Sequence, residues 1–122
     1  MSLASGETVL ISGSYDKLIK VWNPKNGKII NELSGHDGGI EYVEKISWND
    51  RKLNTIASSS KDKSLIVWSF TKLYGNYSIL YRLTGNNEKI NCFTEVFLSS
   101  GKKILVSGGE DKKIKLWEFV EK

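Results

Sequence analysis

Residues Ile56 to Trp68 read IASSSKDKSLIVW. Two other stretches lie on it in register: LISGSYDKLIKVW, Leu10 to Trp22, and LVSGGEDKKIKLW, Leu105 to Trp117. The aspartates Asp16, Asp62 and Asp111 each precede a tryptophan, Trp22, Trp68 and Trp117, by six residues. Each also follows a serine, Ser12, Ser58 and Ser107, by four. The aspartates recur at spacings of 46 and 49 residues. Self-similarity at a nearly fixed period, built round a short turn, is the signature of a repeat architecture.

Each stretch reads as a β-hairpin. A first arm of small and β-prone residues enters an Asp-Lys turn. The second arm places apolar residues three and five positions beyond the aspartate: Ile19 and Val21, Leu65 and Val67, Ile114 and Leu116. That period of two puts them on one face of a strand. Outward from the hairpins, IINEL and SILYRL read as strands that run into the turns Ser34-Gly35 and Thr84-Gly85. YVEKISW and INCFTEVFL follow those turns as further strands. With the strands of a unit labelled a to d, the chain reads b-c-d over 7–34, a-b-c-d over 35–84 and a-b-c over 85–122. The fold class is therefore all-β: ten antiparallel strands, one complete unit between two incomplete ones. No window holds a helical spacing.

The order Gly-His, serine-bearing strand, then Asp and Trp six apart resembles the WD-repeat β-propeller family, and the resemblance covers almost the whole chain. It implies four-stranded antiparallel blades in an incomplete ring, with 1–122 a single partial propeller of about two and a half repeats. There are departures. Asn23, Ser69 and Glu118 follow the three tryptophans where the family usually has aspartate, and Asn86 stands where the middle unit has His36. The apolar patterns of the inner strands are longer than usual, which predicts a bulge or a longer inner strand there. The segment TIASSSKDKSLIVWSFTKLYGNYSILYRL with its long polar loop, followed by LVSGGEDKKIKLW and little more, is similar to the final blades of the small propeller subunit shared by the COPII coat and the nuclear pore. It is also similar to those of the cytosolic iron–sulphur targeting propeller.

The resemblance also assigns a role to His36, the only histidine. In the family's motif the Trp68 indole donates to Ser58, Ser58 donates to His36, and the other ring nitrogen meets Asp62. The donor and acceptor capacities of the four side chains match this chain of bonds. Ser12, Asp16 and Trp22, and Asn86, Ser107, Asp111 and Trp117, are the equivalent partial tetrads. The rival reading makes Ser58, His36 and Asp62 a hydrolytic triad. It is disfavoured because the serine lies inside a strand and the other copies lack histidine. A metal site would need more ligands than one His, one Cys and dispersed carboxylates. GHDGG has no lysine-serine ending and is not a phosphate loop. No catalytic residue, metal or cofactor is expected, and the protein is read as no enzyme.

Composition narrows the classes further. The chain has 122 residues, 39% hydrophobic and 26% charged, the ordinary range of one globular domain. No apolar run approaches the ~20 residues of a membrane helix, so no membrane insertion is expected. The first ten residues lack the basic start and apolar core of a secretory signal. The single cysteine, Cys92, allows no internal disulfide and favours a cytoplasmic or nuclear setting. Its apolar neighbours predict a buried, inert thiol. The net charge of +4 comes from dispersed lysines, Arg51 and Arg82 being the only arginines. RNA or DNA association is the alternative class, disfavoured because no basic tract is interleaved with aromatics.

The function expected is a non-enzymatic scaffold that binds other proteins. Propeller loops converge on one face, and the residue before each turn aspartate should project there: Tyr15, Lys61 and Glu110. Tyr15 is the preferred contact, with packing on a neighbouring loop as its alternative. Trp48 is read as core, and Tyr74, Tyr77 and Tyr81 as loop packing. About two and a half units cannot close a ring, and open blade edges invite pairing. The missing blades are expected from the rest of a longer chain, from copies of this one or from a partner chain. The favoured case is the C-terminal part of a longer propeller or coat-like assembly.

Overall fold

The computed structural model describes residues 1–3, 6–46, 54–70, 77–84 and 88–118. Among them run ten strands: β1 (Leu10–Gly13), β2 (Leu18–Trp22), β3 (Ile29–Ser34), β4 (Ile40–Lys45), β5 (Asn54–Ser60), β6 (Leu65–Phe70), β7 (Tyr77–Leu83), β8 (Ile90–Phe97), β9 (Lys103–Gly109) and β10 (Ile114–Glu118). They form three antiparallel sheets ordered β1-β2-β3, β4-β5-β6-β7 and β10-β9-β8. The middle sheet has four strands and its neighbours three each, and the ring is not closed. Trp48, Tyr74 and Asn86 lie outside the described residues.

The hairpins turn as their aspartates require. Each aspartate side chain accepts the amide two residues on: Leu18 at 3.0 Å, Ser64 at 2.8 Å and Lys113 at 3.0 Å. The residue between is a lysine with positive φ in every case, 74° at Lys17, 71° at Lys63 and 65° at Lys112. A non-glycine residue there carries a conformational cost that the Asp-centred turn offsets. Both inner strands contain a register shift, between Ile40 and Tyr42 and between Ile90 and Cys92. The extra residue in each inner strand is accommodated by this bulge.

The sheets stack face to face. Ile19 and Leu33 of the first pack on Ile40, Ile56, Ile66 and Trp68 of the second. Ala57, Leu65 and Val67 of the second pack on Ile90, Phe93 and Leu105 of the third. Every residue of β5 and β6 is buried as a result. Leu3 and Val9 join Val21 and Phe70 in a third cluster, so the first sheet engages residues ahead of position 7.

The third sheet differs. Leu65 and Val67 are fully buried, whereas their counterparts Ile114 and Leu116 are 76% and 67% exposed. Aliphatic residues in the same register have no sheet against them among the described residues. Full burial of such a side chain is worth about 1.5–3 kcal/mol, and here it is not realised. Cys92 corrects the expectation of a buried thiol: it is exposed. The bulge after Ile90 places Ile90 and Phe93 in the core, and Cys92 between them turns outward.

Candidate functional site

His36 follows β3 in the loop leading to β4, and it lies over the β5–β6 turn. Its ring is shut off from water. Nδ1 stands 2.9 Å from Asp62 Oδ2, and Nε2 stands 2.7 Å from Ser58 Oγ. Trp68 Nε1 donates to the same Ser58 oxygen at 2.8 Å. Indole can only donate, so the Ser58 hydroxyl proton is free to go to Nε2, and Nδ1–H donates to Asp62. The ring is thus neutral. Burial holds the His36 pKa below its ordinary value against the opposing pull of Asp62. Burial by itself would raise Asp62. Hydrogen bonds from Ser64, His36 and the amides of Asp37 and Ser64 outweigh it and hold the carboxyl at about 2.

Two further serines join the network. Ser64 Oγ donates to Asp62 Oδ1 at 2.6 Å, and Ser60 Oγ donates to the Gly38 carbonyl at 2.9 Å. Nothing in the repeat marks Ser64, because Leu18 and Lys113 hold its place in the other units. The GHDGG loop must also lie close to the turn. A Cβ on Gly38 would fall 2.8 Å from the Asp62 amide nitrogen, which as backbone cannot yield.

The outer sheets hold smaller versions. Trp22 Nε1 donates to Ser12 Oγ at 2.8 Å, and Trp117 Nε1 to Ser107 Oγ at 2.9 Å. Asp16 and Asp111 stay in their own turns. Asp16 is pulled below its ordinary value, first by the Leu18 amide.

Serine, histidine and aspartate therefore stand in hydrolase order at hydrogen-bond distance. The placement nonetheless withholds the chemistry. Ser58 is 0% exposed and its oxygen already accepts a hydrogen bond from Trp68 Nε1–H, so an acyl substrate cannot reach it. Among the described residues no three His, Cys, Asp or Glu side chains are grouped to hold a metal ion.

Above the network lies the rim. Tyr15 is 71% exposed, and Lys61 Nζ sits 4.3 Å from its ring centroid. The two candidates come from neighbouring sheets and touch across the boundary. One backbone bond crosses that boundary, Ile40 N–H to Ser14 O at 2.9 Å, and within the second sheet Lys61 N–H donates to Gly39 O at 2.9 Å. A Cβ on Gly39 would fall 2.5 Å from Tyr15 Cδ1, so the ring rests flush on that loop. Glu110 is placed apart. It accepts from Asn91 Nδ2 at 3.2 Å and lies 4.0 Å from Lys89, which in turn faces Glu41 at 3.6 Å. Tyr77 donates to the Ser34 carbonyl at 3.2 Å and sets its ring against Trp68, while Tyr81 packs against the core between the second and third sheets.

The family described as "WD domain, G-beta repeat" matches residues 1–23, 27–69 and 77–118. The chain belongs to the WD-repeat family. Its sheets are blades of that family. The chain is 35% identical over 119 residues to "Nuclear distribution protein PAC1" of Arthroderma benhamiae, covering 93% of this chain and 24% of that protein. It is 32% identical over 111 residues to "Ribosome biogenesis protein WDR12 homolog" of Nematostella vectensis, covering 88% and 24%. It is 28% identical over 101 residues to "Coatomer subunit beta'-1" of Arabidopsis thaliana, covering 83% and 10%. The chain thus spans about a quarter of the length of the first two relatives.

Proposed function

We propose that this WD-repeat chain is a non-enzymatic protein–protein interaction scaffold that contacts its partner through the Tyr15–Lys61 rim. The observation that carries the reading is the tyrosine itself: 71% exposed, yet seated on Gly39 with Lys61 over its ring. An aromatic already held in place offers apolar area and a polar tip while losing little freedom on binding. The buried His36–Ser58–Asp62–Trp68 network serves stability and pins the rim loop to the turn beneath it. Ser12 with Trp22 and Ser107 with Trp117 serve their own blades through the indole bond alone, and Asp16 and Asp111 through their turns. Glu110, bound within its own blade, sits at the periphery of the contact.

The relatives' names, drawn from ribosome biogenesis, nuclear distribution and coatomer, support a cytoplasmic or nuclear setting and membership of larger assemblies. The uncovered Ile114 and Leu116 support completion of the blades by the rest of a longer chain, by copies or by a partner chain. Part of the narrower likeness to the COPII and nuclear-pore subunit, the loop 71–76, lies outside the described residues. A photo-crosslinking residue at position 17 would capture the partner, and Tyr15→Ala would then be titrated against it. The affinity should fall about 30-fold, the effect of losing a hot spot worth about 2 kcal/mol. An unchanged affinity with an unchanged melt rejects the assignment.

A further inference from the structure

The same two positions carry different chemistry in the second and third blades. Lys61 and Glu110 each precede a turn aspartate, and their amides donate to Gly39 O at 2.9 Å and to Lys89 O at 3.1 Å. Gly39 and Lys89 are therefore equivalent. In the third blade the pair is matched in charge. Lys89 Nζ lies 4.0 Å from Glu110 and also faces Glu41 of the second blade at 3.6 Å. In the second blade it is not matched. Gly39 offers no side chain, and the Lys61 ammonium sits over Tyr15 of the first blade.

Lys61 is exposed, and no carboxylate among the described residues forms an ion pair with it. The acids of the adjoining turns are engaged elsewhere. Asp16 pairs with Lys20 at 3.3 Å. Asp62 is held by His36, Ser64 and the Asp37 amide. Asp37 is exposed in the loop that carries Gly39, and it pairs with no described lysine. Lys17, exposed two residues beyond Tyr15, adds a second positive charge to that turn.

Docking on Tyr15 consequently has an electrostatic condition. An ammonium over an exposed ring is only weakly attracted to it and keeps its water. Ring and ammonium form one patch, so an apolar side chain laid on the ring strips that water as well. A desolvated ammonium without an acceptor is strongly unfavourable. A carboxylate makes a bond about twice as strong as a neutral acceptor does.

We propose that the Tyr15–Lys61 rim takes an acidic peptide segment, which sets a carboxylate on Lys61 and an aliphatic or aromatic side chain on Tyr15. The proposal rests on the rim reading above and adds the chemistry of the partner. The Lys17 and Lys61 charges select against basic segments, since like charges brought together on docking repel.

Phage-displayed random peptides are selected on the 122-residue protein, and the enriched ones are titrated as labelled synthetic copies by fluorescence anisotropy. Enrichment of Asp or Glu close to an aliphatic or aromatic residue is expected. Lys61→Gln should weaken these peptides at least about tenfold, and Lys61→Arg should keep them within about threefold. Exchanging the peptide's acid for Gln should cost at least about tenfold on wild type. On Lys61→Gln the same exchange should cost no more than about twofold, as for one shared contact. Lys61 is exposed and its backbone bond to Gly39 survives each substitution, so the variants should melt with wild type. Peptides that need Tyr15 but carry no acid, or whose acid is indifferent to Lys61, overturn the acidic partner and leave the rim standing. Peptides indifferent to both Tyr15→Ala and Lys61→Gln, or no enrichment at all, overturn the rim and this proposal with it.

Discussion

One substitution made at three equivalent positions separates the role of the network from that of the hairpin. Ser12→Ala, Ser58→Ala and Ser107→Ala each remove a single hydroxyl from the same place in a blade. In the first and third blades the oxygen accepts one indole proton, from Trp22 or Trp117, and both tryptophans are half-buried. Losing such a bond costs about 0.5–1.5 kcal/mol. In the second blade the oxygen serves two partners, Trp68 Nε1 at 2.8 Å and His36 Nε2 at 2.7 Å. Trp68 is 0% exposed, so neither partner can turn to water. Each orphaned buried group costs about 1–3 kcal/mol, giving about 2–6 kcal/mol for Ser58→Ala. At about 3–6 °C per kcal/mol for a chain of this size, Ser58→Ala should melt about 10 °C lower than either companion. Calorimetric melts of the three variants at neutral pH measure this directly. Equal shifts at all three serines would show that the histidine contributes nothing and would refute the network argument.

Two further outcomes follow from the same turn. His36→Ala should cost about 1–3 kcal/mol, since it leaves the buried Ser58 proton without an acceptor. It should also flatten the acid limb of the stability curve. The folded pKa of His36 lies below its unfolded value of 6.5, so its contribution is complete above pH 6.5 and is lost as pH falls through the folded value. Asp62 adds a second limb at lower pH. Held at about 2 against 3.8, it contributes on the order of 1–2 kcal/mol above pH 3.8, lost as pH falls towards 2. Urea titrations of wild type and His36→Ala between pH 7 and 4 check the first limb, and parallel curves would contradict it. Lys63→Gly should stabilise the protein by about 0.5–1 kcal/mol, because φ of 71° suits glycine and strains lysine. Lys63→Val should destabilise it, and the reverse order in chemical melts would show that the turn is not under strain.

The hairpins were legible because everything that makes them is local. Asp16, Asp62 and Asp111 close turns with amides two residues away, and each tryptophan meets a serine ten residues before it. Spacing alone reports contacts of that range. The alternation at Leu65 and Val67 likewise gave the strand face, and the same alternation at Ile114 and Leu116 was equally clear. What covers a face is decided by another sheet, and identical patterns therefore ended at full burial in one blade and at 76% and 67% exposure in the other. The thiol of Cys92 was misread for the same reason: apolar neighbours in sequence say nothing about which side of a bulge a residue takes. The contact between Tyr15 and Lys61, the entry of Ser64 into the histidine network and the pairing of Met1 with Val9 were invisible beforehand. They join groups whose spacing follows no repeat. The amino-acid sequence by itself determined the hairpins, their turns and the apolar side of the unbulged strands, since backbone hydrogen bonds and side-chain alternation act within a few residues. Only the tertiary structure decided which of those sides meet a neighbour, because burial belongs to pairs of sheets and not to any one of them.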